Sequence, residues 1–465
     1  MVPITLLKLV ENNSFLSTLS SLYHGNGFEL YLVGGAVRDG ILDIPTNDFD
    51  FTTNATPEES IELLKKNNYK TTEVGKAFGT IELYDQERVV HITTFRKDTY
   101  ETDSRNPEIE KASDLVTDLS RRDFTINSIA YSLETNELID PFSGLKDLAS
   151  GTISTPDDPI ISFSDDPLRM LRVCRFASTH GFSPDNETYI AMKENIERIK
   201  IITKERIRDE INKLLVGKSP SMGIRTLVES GLSLYIIPEI NELKIEVDPK
   251  HHHKDVYEHT LAVLDGVPPK LTLRMGALLH DIAKPNTKGI ENGKVHFRHH
   301  EVVGARMTKK ILKGLKYDNK TIEDIALLVE QHLRPHTFKM GWTDSAVRRY
   351  IVDAGHMLED LNELVRADVT TKNKIKAKEI YENLDEMEKR IEEVKAKEEL
   401  SKIRPALSGD EIMEHFNIQP GPKVGVIMKA LYEQRINDGE VSKEDALKLA
   451  EETYKTVSYT HLTLP

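Results

Sequence analysis

The sequence has almost no cysteine and no long apolar run. Cys174 is its single cysteine, so no disulfide can form within the chain, as is typical of proteins in a reducing compartment. No apolar run approaches the roughly 20 residues that a transmembrane helix needs. The first residues also lack the basic lead and the small-residue cleavage site of a signal peptide. These absences predict a soluble cytoplasmic protein that does not enter a membrane.

An excess of basic charge is also missing. Lysine and arginine number 62 against 76 acidic residues, which gives a formal net charge of −14. Proteins that coat nucleic acid indiscriminately are strongly basic, so the sequence argues against that class while leaving room for a local basic groove. At 465 residues, the chain is long enough for several domains of about 150 residues each.

Residues 31–51 (YLVGGAVRDGILDIPTNDFDF) form the first segment whose residue types indicate a chemical role. Its apolar start is typical of a buried strand. Gly34 and Gly35 allow a sharp turn that exposes backbone N–H groups, and residues 36–42 predict a helix. Because the N-terminus of a helix attracts anions, this segment predicts a phosphate-binding turn.

Two aspartates close this segment. Asp48 and Asp50 are two residues apart, and on a strand that spacing places both carboxylates on one face, with Phe49 on the other. Paired aspartates near a turn are also common as solvated loop residues. On a strand, however, two carboxylates can bridge the Mg²⁺ ions that nucleotidyl transfer uses. A third carboxylate would complete the site, but the neighbouring strand offers His91 there; Glu82 is the other candidate, and the third ligand stays unassigned.

The pattern beyond this segment predicts a mixed α/β part followed by helices. Residues 72–96 alternate and are rich in β-branched types, which predicts paired strands. Residues 97–118 are polar and aperiodic, which predicts a long loop. Residues 119–133 return to the helical period. From about residue 160 the strand signal fades and successive helices are expected, with one long charged helix within residues 372–400.

Local signals mark three helix boundaries. A helical pattern within residues 1–30 ends at the breaker His24–Gly27. Thr56 predicts an N-cap, with Pro57 as the first helical residue. Residues 140–148 (DPFSGLKDL) predict a turn that leads into a short helix.

Two groups of polar residues extend the hypothesis of a nucleotide site. Arg121 and Arg122 are suited to a triphosphate, because the planar guanidinium fork binds two oxygens at once. Asp123 and Asn127 can contact a ribose or a base. The alternative is a solvated helix start with its charges in water.

A ladder of charged residues follows at the helix that opens after residue 165. Arg169, Arg172 and Arg175 recur every third residue and so lie along one side of the helix. Asp166 beside Arg169 offers acceptors and donors that match a Watson–Crick edge, so this pair can act as a protein template for an incoming base. The alternative is an ordinary helix with its basic side in solvent.

A second constellation consists of histidines and aspartates. His259, the doublet His280-Asp281 and Asp368 come from different predicted helices and can form a metal site. Three further histidines add possible ligands or phosphate contacts: His299, His300 and His332. The run 251–253 is expected to be an exposed linker.

Five motifs carry a resemblance when taken in order. They are LVGGAVRD with DFDF, then RRDFTIN, DPFSGLKDL, DDPLRMLRVCRFA and KERIRDEINKLL. Over about residues 25–240 they resemble the bacterial CCA-adding tRNA nucleotidyltransferases of class II, which also contains the bacterial poly(A) polymerases, in the polymerase-β-like superfamily. One departure is Asp165, where the family usually has glutamate.

The resemblance implies roles for the residues that match these motifs. Asp48 and Asp50 would bind the catalytic metal ions, for which Mg²⁺ is expected. The double glycine and nearby arginines would contact the triphosphate, and Asp166 with Arg169 would read the base of CTP or ATP. The residues assigned to nucleotide binding are Gly34, Gly35, Arg38, Arg121, Arg122, Asp123, Asn127, Asp166, Arg169, Arg172 and Arg175. The loop 97–118 resembles the family's flexible loop, which is linked to adding the terminal A.

The motif HDIAKP, centred on His280 and Asp281, resembles the HD phosphohydrolase superfamily. That resemblance implies that His259, His280, Asp281 and Asp368 hold a second divalent metal. Whether the module hydrolyses a substrate stays open, because HD modules attached to this family vary in activity.

The expected fold is α+β, with a polymerase-β-like nucleotidyltransferase head of mixed sheet and helices followed by all-helical parts. The head is expected at residues 1–148, the neck and body at 149–245, the HD domain at 246–371 and the tail at 372–456. Residues 457–465 (VSYTHLTLP) do not continue the preceding pattern and are expected to be non-native or disordered.

The predicted activity is template-independent addition of CCA to the 3′ end of tRNA from CTP and ATP, with release of pyrophosphate. The tRNA would lie along the basic helices of residues 169–218. The alternatives are a poly(A) polymerase, an enzyme that adds only A or only CC, an HD phosphohydrolase acting on RNA ends or nucleotides, and a non-catalytic RNA-binding protein. The intact Asp48 and Asp50 favour catalysis, and the base-reading pair favours CCA addition. The oligomeric state stays open.

Overall fold

The computed structural model describes residues 2–72, 79–85, 88–99, 108–245, 255–292, 294–371, 373–397 and 404–460. The chain divides into two units. The first ends at Glu242 and the second begins at Leu243, except that residues 314–316 group with the first. In the described ranges, no helix combines the length and apolar composition needed to cross a bilayer.

The first unit contains both strands and helices. Its described helices are α1 (Ile4–Glu11), α2 (Ser14–His24), α3 (Gly35–Ile41), α4 (Pro57–Lys66), α5 (Leu115–Ser120), α6 (Gly144–Ser150), α7 (Pro159–Asp165), α8 (Leu168–His180), α9 (Asn186–Glu194), α10 (Lys204–Leu215), α11 (Pro220–Glu229), α12 (Ser233–Ile236) and α13 (Glu239–Glu242). Its described strands are β1 (Leu30–Val33), β2 (Phe49–Thr53), β3 (Lys70–Thr72), β4 (Thr80–Asp85), β5 (Arg88–Thr94), β6 (Arg96–Thr99), β7 (Glu108–Lys111), β8 (Ala130–Ser132), β9 (Glu137–Ile139), β10 (Thr152–Ile153) and β11 (Ser183–Pro184).

A mixed sheet forms the centre of the head, as predicted. Among the described residues, seven strands pair in the order β3-β4-β5-β2-β1-β8-β9. Strand β2 pairs in parallel with β5 and antiparallel with β1. Phe49 and Phe51 are buried and alternate with Asp50, so β2 gives one face to the core and turns a carboxylate to the other. The predicted α+β class is confirmed.

Helix α4 begins where its capping signal predicted. The Thr56 hydroxyl accepts a hydrogen bond from the Glu59 backbone N–H, and the Glu59 carboxylate accepts one from the Thr56 N–H. Pro57 takes the first helical position. This reciprocal cap satisfies two donors that a helix start leaves without partners.

The helix predicted over residues 119–133 is wrong. Helix α5 ends at Ser120, a 3₁₀ turn covers Thr125–Asn127, and the chain then becomes strand β8. Strand β8 pairs with β1 on one side and β9 on the other, so long-range pairing overrides the local period. The Ser128 hydroxyl also donates to the Phe124 carbonyl, a local bond that competes with helix formation.

The segment 97–118, predicted as a long loop, contains regular elements among its described residues. Strands β6 and β7 pair antiparallel at its two ends, and α5 starts within it behind an N-cap from Asp114. Residues 100–107, the middle of the predicted loop, lie outside the described residues.

Helices α8, α10 and α11 form the centre of the neck. Helix α8 packs against both of the others and buries Cys174 and Phe176. Its three arginines lie at every third position, as the sequence predicted, and all three are partly buried.

The second unit is mainly helical. Its described elements are α14 (Val256–Gly266), α15 (Leu271–Leu279), α16 (Lys284–Thr287), β12 (Lys288–Glu291), β13 (Lys294–Phe297), α17 (His300–Gly314), α18 (Asn319–Gln331), α19 (Asp344–Ala354), α20 (Leu358–Ala367), α21 (Lys374–Lys397), α22 (Gly409–Phe416), α23 (Pro422–Asp438) and α24 (Lys443–Thr460). Strands β12 and β13 pair antiparallel, which the all-helical expectation missed.

Several boundaries in this unit differ from the expectation. The sequence predicts an apolar helix through LLHDIAKP that ends at Lys284-Pro285, but helix α15 ends at Leu279 and His280 is its C-cap. Helix α21 confirms the long charged helix. Helix α24 continues to Thr460, beyond the end expected before Val457. The run 251–253 and residues 461–465 lie outside the described residues.

Candidate active site

Asp48 and Asp50 lie at the start of β2. Asp50 belongs to the strand, whereas Asp48 comes one residue before it. Their side chains are 77% and 44% exposed, respectively, so both remain open to a ligand. Partial burial and the neighbouring Asp50 carboxylate raise the pKa of Asp48. A cation between the two carboxylates would relieve this repulsion.

His91 lies beside the two aspartates. Strand β5 places it directly opposite Asp50 in the parallel pairing. Its Nδ1 lies 3.4 Å from Asp50 Oδ1 and 3.9 Å from Asp48 Oδ1. One ligand atom from each of these residues fits within 4.8 Å of the others, close enough to share a metal ion. The hydrogen bond with Asp50 raises the pKa of His91.

The turn before α3 allows close approach to this cluster. Gly34 has φ +69°, a conformation that favours glycine. A Cβ at this position would lie 3.3 Å from Arg122 Nη1 and 3.6 Å from Asp50 Oδ2. The turn, Arg122 and the carboxylate of Asp50 are therefore immediate neighbours.

A buried carboxylate, Asp118, organises the arginines of this region. Arg121 Nη2 lies 2.7 Å from Asp118 Oδ1, and Arg122 Nη2 lies 3.3 Å from Asp118 Oδ2. The hydroxyl of Thr52 on β2 also donates to it, at 3.0 Å. Burial opposes ionisation, but the two guanidinium groups hold the pKa of Asp118 below its usual value. The sequence analysis missed this residue, although its spacing of three and four from the arginines was a signal.

Asn127 and Asp123 connect α3 to α8. Arg38 Nη1 donates to Asn127 Oδ1 at 2.7 Å, and Asn127 Nδ2 donates to Asp123 Oδ1 at 3.0 Å. Arg172 Nη2 lies 2.5 Å from Asp123 Oδ2. Although burial opposes ionisation, Arg172 holds the pKa of Asp123 below its usual range. Asp123 and Arg172 therefore neutralise each other inside the unit.

The proposed base-reading pair does not form a mutual ion pair. Arg169 Nη1 donates to Ser162 Oγ at 2.7 Å, and Nη2 donates to the Arg121 carbonyl at 2.6 Å. Asp166 Oδ2 instead lies 3.6 Å from Arg206 Nη2. Each member is thus held by other groups. Ser162 and Arg206 were missed, since only tertiary structure brings them here.

Arg175 has a separate role from Arg169. It pairs with Glu210 at 3.1 Å, and its guanidinium lies 4.7 Å from the ring centre of Phe176. Burial lowers its pKa to about 10, so it stays protonated near neutral pH.

The second unit brings its predicted residues together. His259 Nε2 lies 2.9 Å from Asp368 Oδ1 and 3.3 Å from His280 Nε2. Asp281 Oδ2 lies 3.2 Å from His280 Nε2 and 3.5 Å from His259 Nε2. A ligand atom from each of His259, His280 and Asp368 fits a shared ion. His336, at 3.4 Å from Asp368 Oδ2, was missed by the sequence analysis.

A second group lies on the other oxygen of the same aspartate. His300 Nε2 lies 3.3 Å and His332 Nε2 3.9 Å from Asp281 Oδ1, and these residues also fit a shared ion. By contrast, His299 is 82% exposed.

Backbone contacts orient the buried rings. Nδ1 of His280, His300 and His332 each lies 2.7 or 2.8 Å from the carbonyl three residues earlier. Because a carbonyl only accepts, Nδ1 is the donor in each of these contacts, and Nε2 is the ring nitrogen that faces Asp281. Burial lowers the pKa of His332 to about 3, which keeps it neutral. Burial opposes the charge on Asp281, yet His280 and Lys284 hold its pKa well below its usual value.

Three family models match successive parts of the chain. The model described as "Poly A polymerase head domain" matches residues 30–154, and "Probable RNA and SrmB- binding site of polymerase A" matches residues 181–244. The HD domain model matches residues 251–404.

Relatives cover nearly the whole chain. The CCA-adding enzyme of Geobacillus sp. (strain WCH70) is 30% identical over 417 residues, 90% of each chain. The A-adding tRNA nucleotidyltransferase of Deinococcus radiodurans is 30% identical over 418 residues, 87% of this chain and 91% of that one. The crystal structure of the Bacillus stearothermophilus CCA-adding enzyme in complex with CTP shares the fold, with a TM-score of 0.68 at 23% identity over 96% of this chain and 99% of that one. This chain belongs to the family of CCA-adding enzymes and related tRNA nucleotidyltransferases.

Proposed function

We propose that this protein adds the CCA terminus to tRNA from CTP and ATP, without a nucleic-acid template. The observation that carries the proposal is the cluster of Asp48, Asp50 and His91 at an open edge of the head, in a chain whose relatives are named CCA-adding enzymes. We propose the cytoplasm as its location, because tRNA and nucleoside triphosphates are found there. We also propose that the domains have the limits expected from the sequence.

The reaction is a phosphoryl-group substitution. The terminal hydroxyl oxygen of the RNA bonds to the α-phosphorus of the nucleotide, and the bond from that phosphorus to the bridging oxygen breaks. Pyrophosphate leaves, and the hydroxyl proton passes to solvent. Mg²⁺ held by Asp48 and Asp50 would favour the attacking alkoxide and neutralise the leaving pyrophosphate.

The triphosphate is proposed to lie along the glycine turn. The backbone of Gly34 and Gly35 can come close to phosphate oxygens because no Cβ intervenes at Gly34. Arg122 supports this placement through its nearness to both the turn and Asp50. Arg38 and Arg121 add positive charge at the same edge. Asp118 is the residue proposed to position the two arginines of RRD.

Asp166 and Arg169 are proposed to read the incoming base. Ser162 and the Arg121 carbonyl hold Arg169, which limits the freedom of its guanidinium and so favours selection by hydrogen bonding. Asp123, Asn127, Arg172 and Arg175 form ion pairs and hydrogen bonds of their own, and we propose that they keep this template rigid. The tRNA would then follow the basic helices of residues 169–218.

The test uses tRNAs that lack CCA, CA or A, supplied with CTP and ATP separately and together. CCA addition predicts growth of the shortest tRNA by three nucleotides followed by a halt. Continued A-tailing would instead identify a poly(A) polymerase.

A second candidate function is addition of the terminal A alone. It is favoured by the relative from Deinococcus radiodurans, which is named an A-adding enzyme and matches this chain as well as the first relative does. Under this alternative, only the tRNA that ends in CC would be extended, and CTP would never be consumed.

For the second unit we propose a divalent metal at His259, His280, Asp281 and Asp368. Next to this site, Asp281 Oδ1 and His300 Nε2 are buried 3.3 Å apart, and neither has a hydrogen-bond partner. An unpaired carboxylate oxygen facing an imidazole lone pair is costly when buried, and a cation would satisfy both. A metal-dependent phosphohydrolase activity on RNA ends or nucleotides is the corresponding functional proposal.

A further inference from the structure

We propose that His91 is the third ligand of the head's metal site and that Glu82 orients it, so that this site favours Mn²⁺ relative to Mg²⁺ more than an all-carboxylate site would. The inference rests on the proposed function only in assigning a metal to Asp48 and Asp50. It names the residue that replaces the third carboxylate.

The strand register is the first support. Parallel pairing of β2 and β5 places His91 opposite Asp50, so both side chains lie on the same face of the sheet. The contact is therefore built into two strands of the central sheet and does not depend on a loop. His91 Nδ1 is the ring nitrogen that faces the carboxylates, at 3.4 Å from Asp50 Oδ1 and 3.9 Å from Asp48 Oδ1.

Glu82 supplies the second support from the other side. Antiparallel pairing of β4 and β5 places it opposite His91, and Glu82 Oε1 lies 3.9 Å from His91 Nε2. Its other oxygen accepts hydrogen bonds from Thr72 Oγ1 and Tyr84 O–H, both at 2.9 Å. The carboxylate is thus fixed with one oxygen towards the imidazole.

This arrangement is that of a carboxylate behind a metal-binding histidine. A carboxylate near Nε2 favours the tautomer with its proton on Nε2, which leaves the Nδ1 lone pair for a metal. The separation of 3.9 Å is longer than a direct hydrogen bond, and a small ring rotation or one water closes it. In this proposal Glu82 is therefore a positioning residue rather than the third ligand.

The donor set decides the metal preference. Mg²⁺ prefers an octahedral set of oxygen ligands and keeps several of its waters. A neutral imidazole nitrogen suits first-row transition ions better, whereas carboxylates are accepted by both Mg²⁺ and Mn²⁺. Replacing a third carboxylate by His91 also removes one negative charge from the site. Mg²⁺ loses more from this exchange than Mn²⁺ does.

The test compares the full chain with His91→Glu, which restores a third carboxylate. Mn²⁺ alone is titrated, and the free ion is followed by electron paramagnetic resonance. Asp50→Ala identifies which binding events belong to the head, because the second unit also offers metal ligands. Mg²⁺ affinity at the same sites is measured by displacement of Mn²⁺.

The expected result is that His91→Glu lowers the Mn²⁺-to-Mg²⁺ affinity ratio of the head sites by about tenfold. Glu82→Gln should lower Mn²⁺ affinity in the same direction, by a smaller factor. An unchanged ratio in His91→Glu would overturn the proposal and leave His91 as an ion-pair partner of Asp50.

Transfer assays on tRNA separate this inference from the proposed function. If transfer occurs normally and the affinity ratio does not respond to His91→Glu, the inference alone fails. If no metal supports transfer but the ratio responds, the ligand assignment stands and the proposed function fails.

Discussion

The two candidate metal clusters of this chain follow opposite plans. The head cluster lies on neighbouring strands, is partly exposed and combines two carboxylates with one imidazole. The cluster of the second unit lies at helix ends. Its Asp281 is buried together with His280, His300 and His332, whose imidazole rings are held by backbone carbonyls. An open, oxygen-rich site suits an ion that arrives with a nucleotide, whereas a closed, nitrogen-rich site suits a resident ion.

The largest effect is expected from removing a head carboxylate. Asp48→Asn should lower nucleotide transfer by at least about 10³-fold, since a catalytic metal supplies several kcal/mol of charge stabilisation. Binding of tRNA, measured by filter retention, should change little. Asp43→Asn is a matched control, because Asp43 is exposed nearby and its φ of +59° is one that asparagine tolerates. Equal activity of both variants would contradict the metal role of Asp48.

His280→Ala tests whether the two clusters are independent. It should abolish retention of metal by the second unit, as measured by elemental analysis after gel filtration, and remove any metal-dependent phosphatase activity. CCA addition should persist. His299→Asn is the control, because the exposed His299 has a φ of +61° that asparagine adopts readily. Loss of transfer in a folded His280→Ala protein would show that the two sites are coupled.

Arg169→Ala should reduce the selectivity of the enzyme between CTP and ATP. Without its guanidinium, the ratio of kcat/KM for the correct over the wrong nucleotide should fall by about tenfold to a hundredfold. Arg172→Ala removes a guanidinium that is paired with Asp123 instead, so it should lower kcat/KM for CTP and ATP alike. A selectivity that survives Arg169→Ala would count against a protein template.

The contrast between the clusters also explains what could be predicted from the sequence. Asp48 and Asp50 were found because their spacing is local, and the capped start of α4 was found because Thr56, Pro57 and Glu59 are adjacent in the chain. The fold class and the family could likewise be predicted, because the motifs follow one another in order along the sequence.

What could not be predicted depends on distant partners. Strand β8 was assigned to a helix because the local hydrophobic period carries no information about the two strands that pair with it. Ser162 and Arg206 were missed because their partners lie on another element, and the contact of Asp118 with Thr52 joins residues that are far apart in the chain. The sequence showed that His91 stands where a third carboxylate was expected. Only the registers of β4, β5 and β2 show that His91 faces the aspartates and that Glu82 lies behind it.

The smallest expected effect is a shift in thermal stability, which distinguishes a resident metal ion from an exchangeable one. Ligand bound at 100 times its Kd stabilises a fold by about 2.7 kcal/mol, which for a unit of this size corresponds to roughly 5–10 °C in Tm. Removing metal with EDTA should therefore lower the calorimetric transition of the second unit by several degrees. The transition of the first unit should hardly move, because its open site holds metal weakly without nucleotide. His280→Ala identifies which transition is which, since it should already lie at the lower temperature and no longer respond to EDTA. If EDTA instead lowered the first transition, the head cluster would be the resident site and the contrast between the two plans would be wrong.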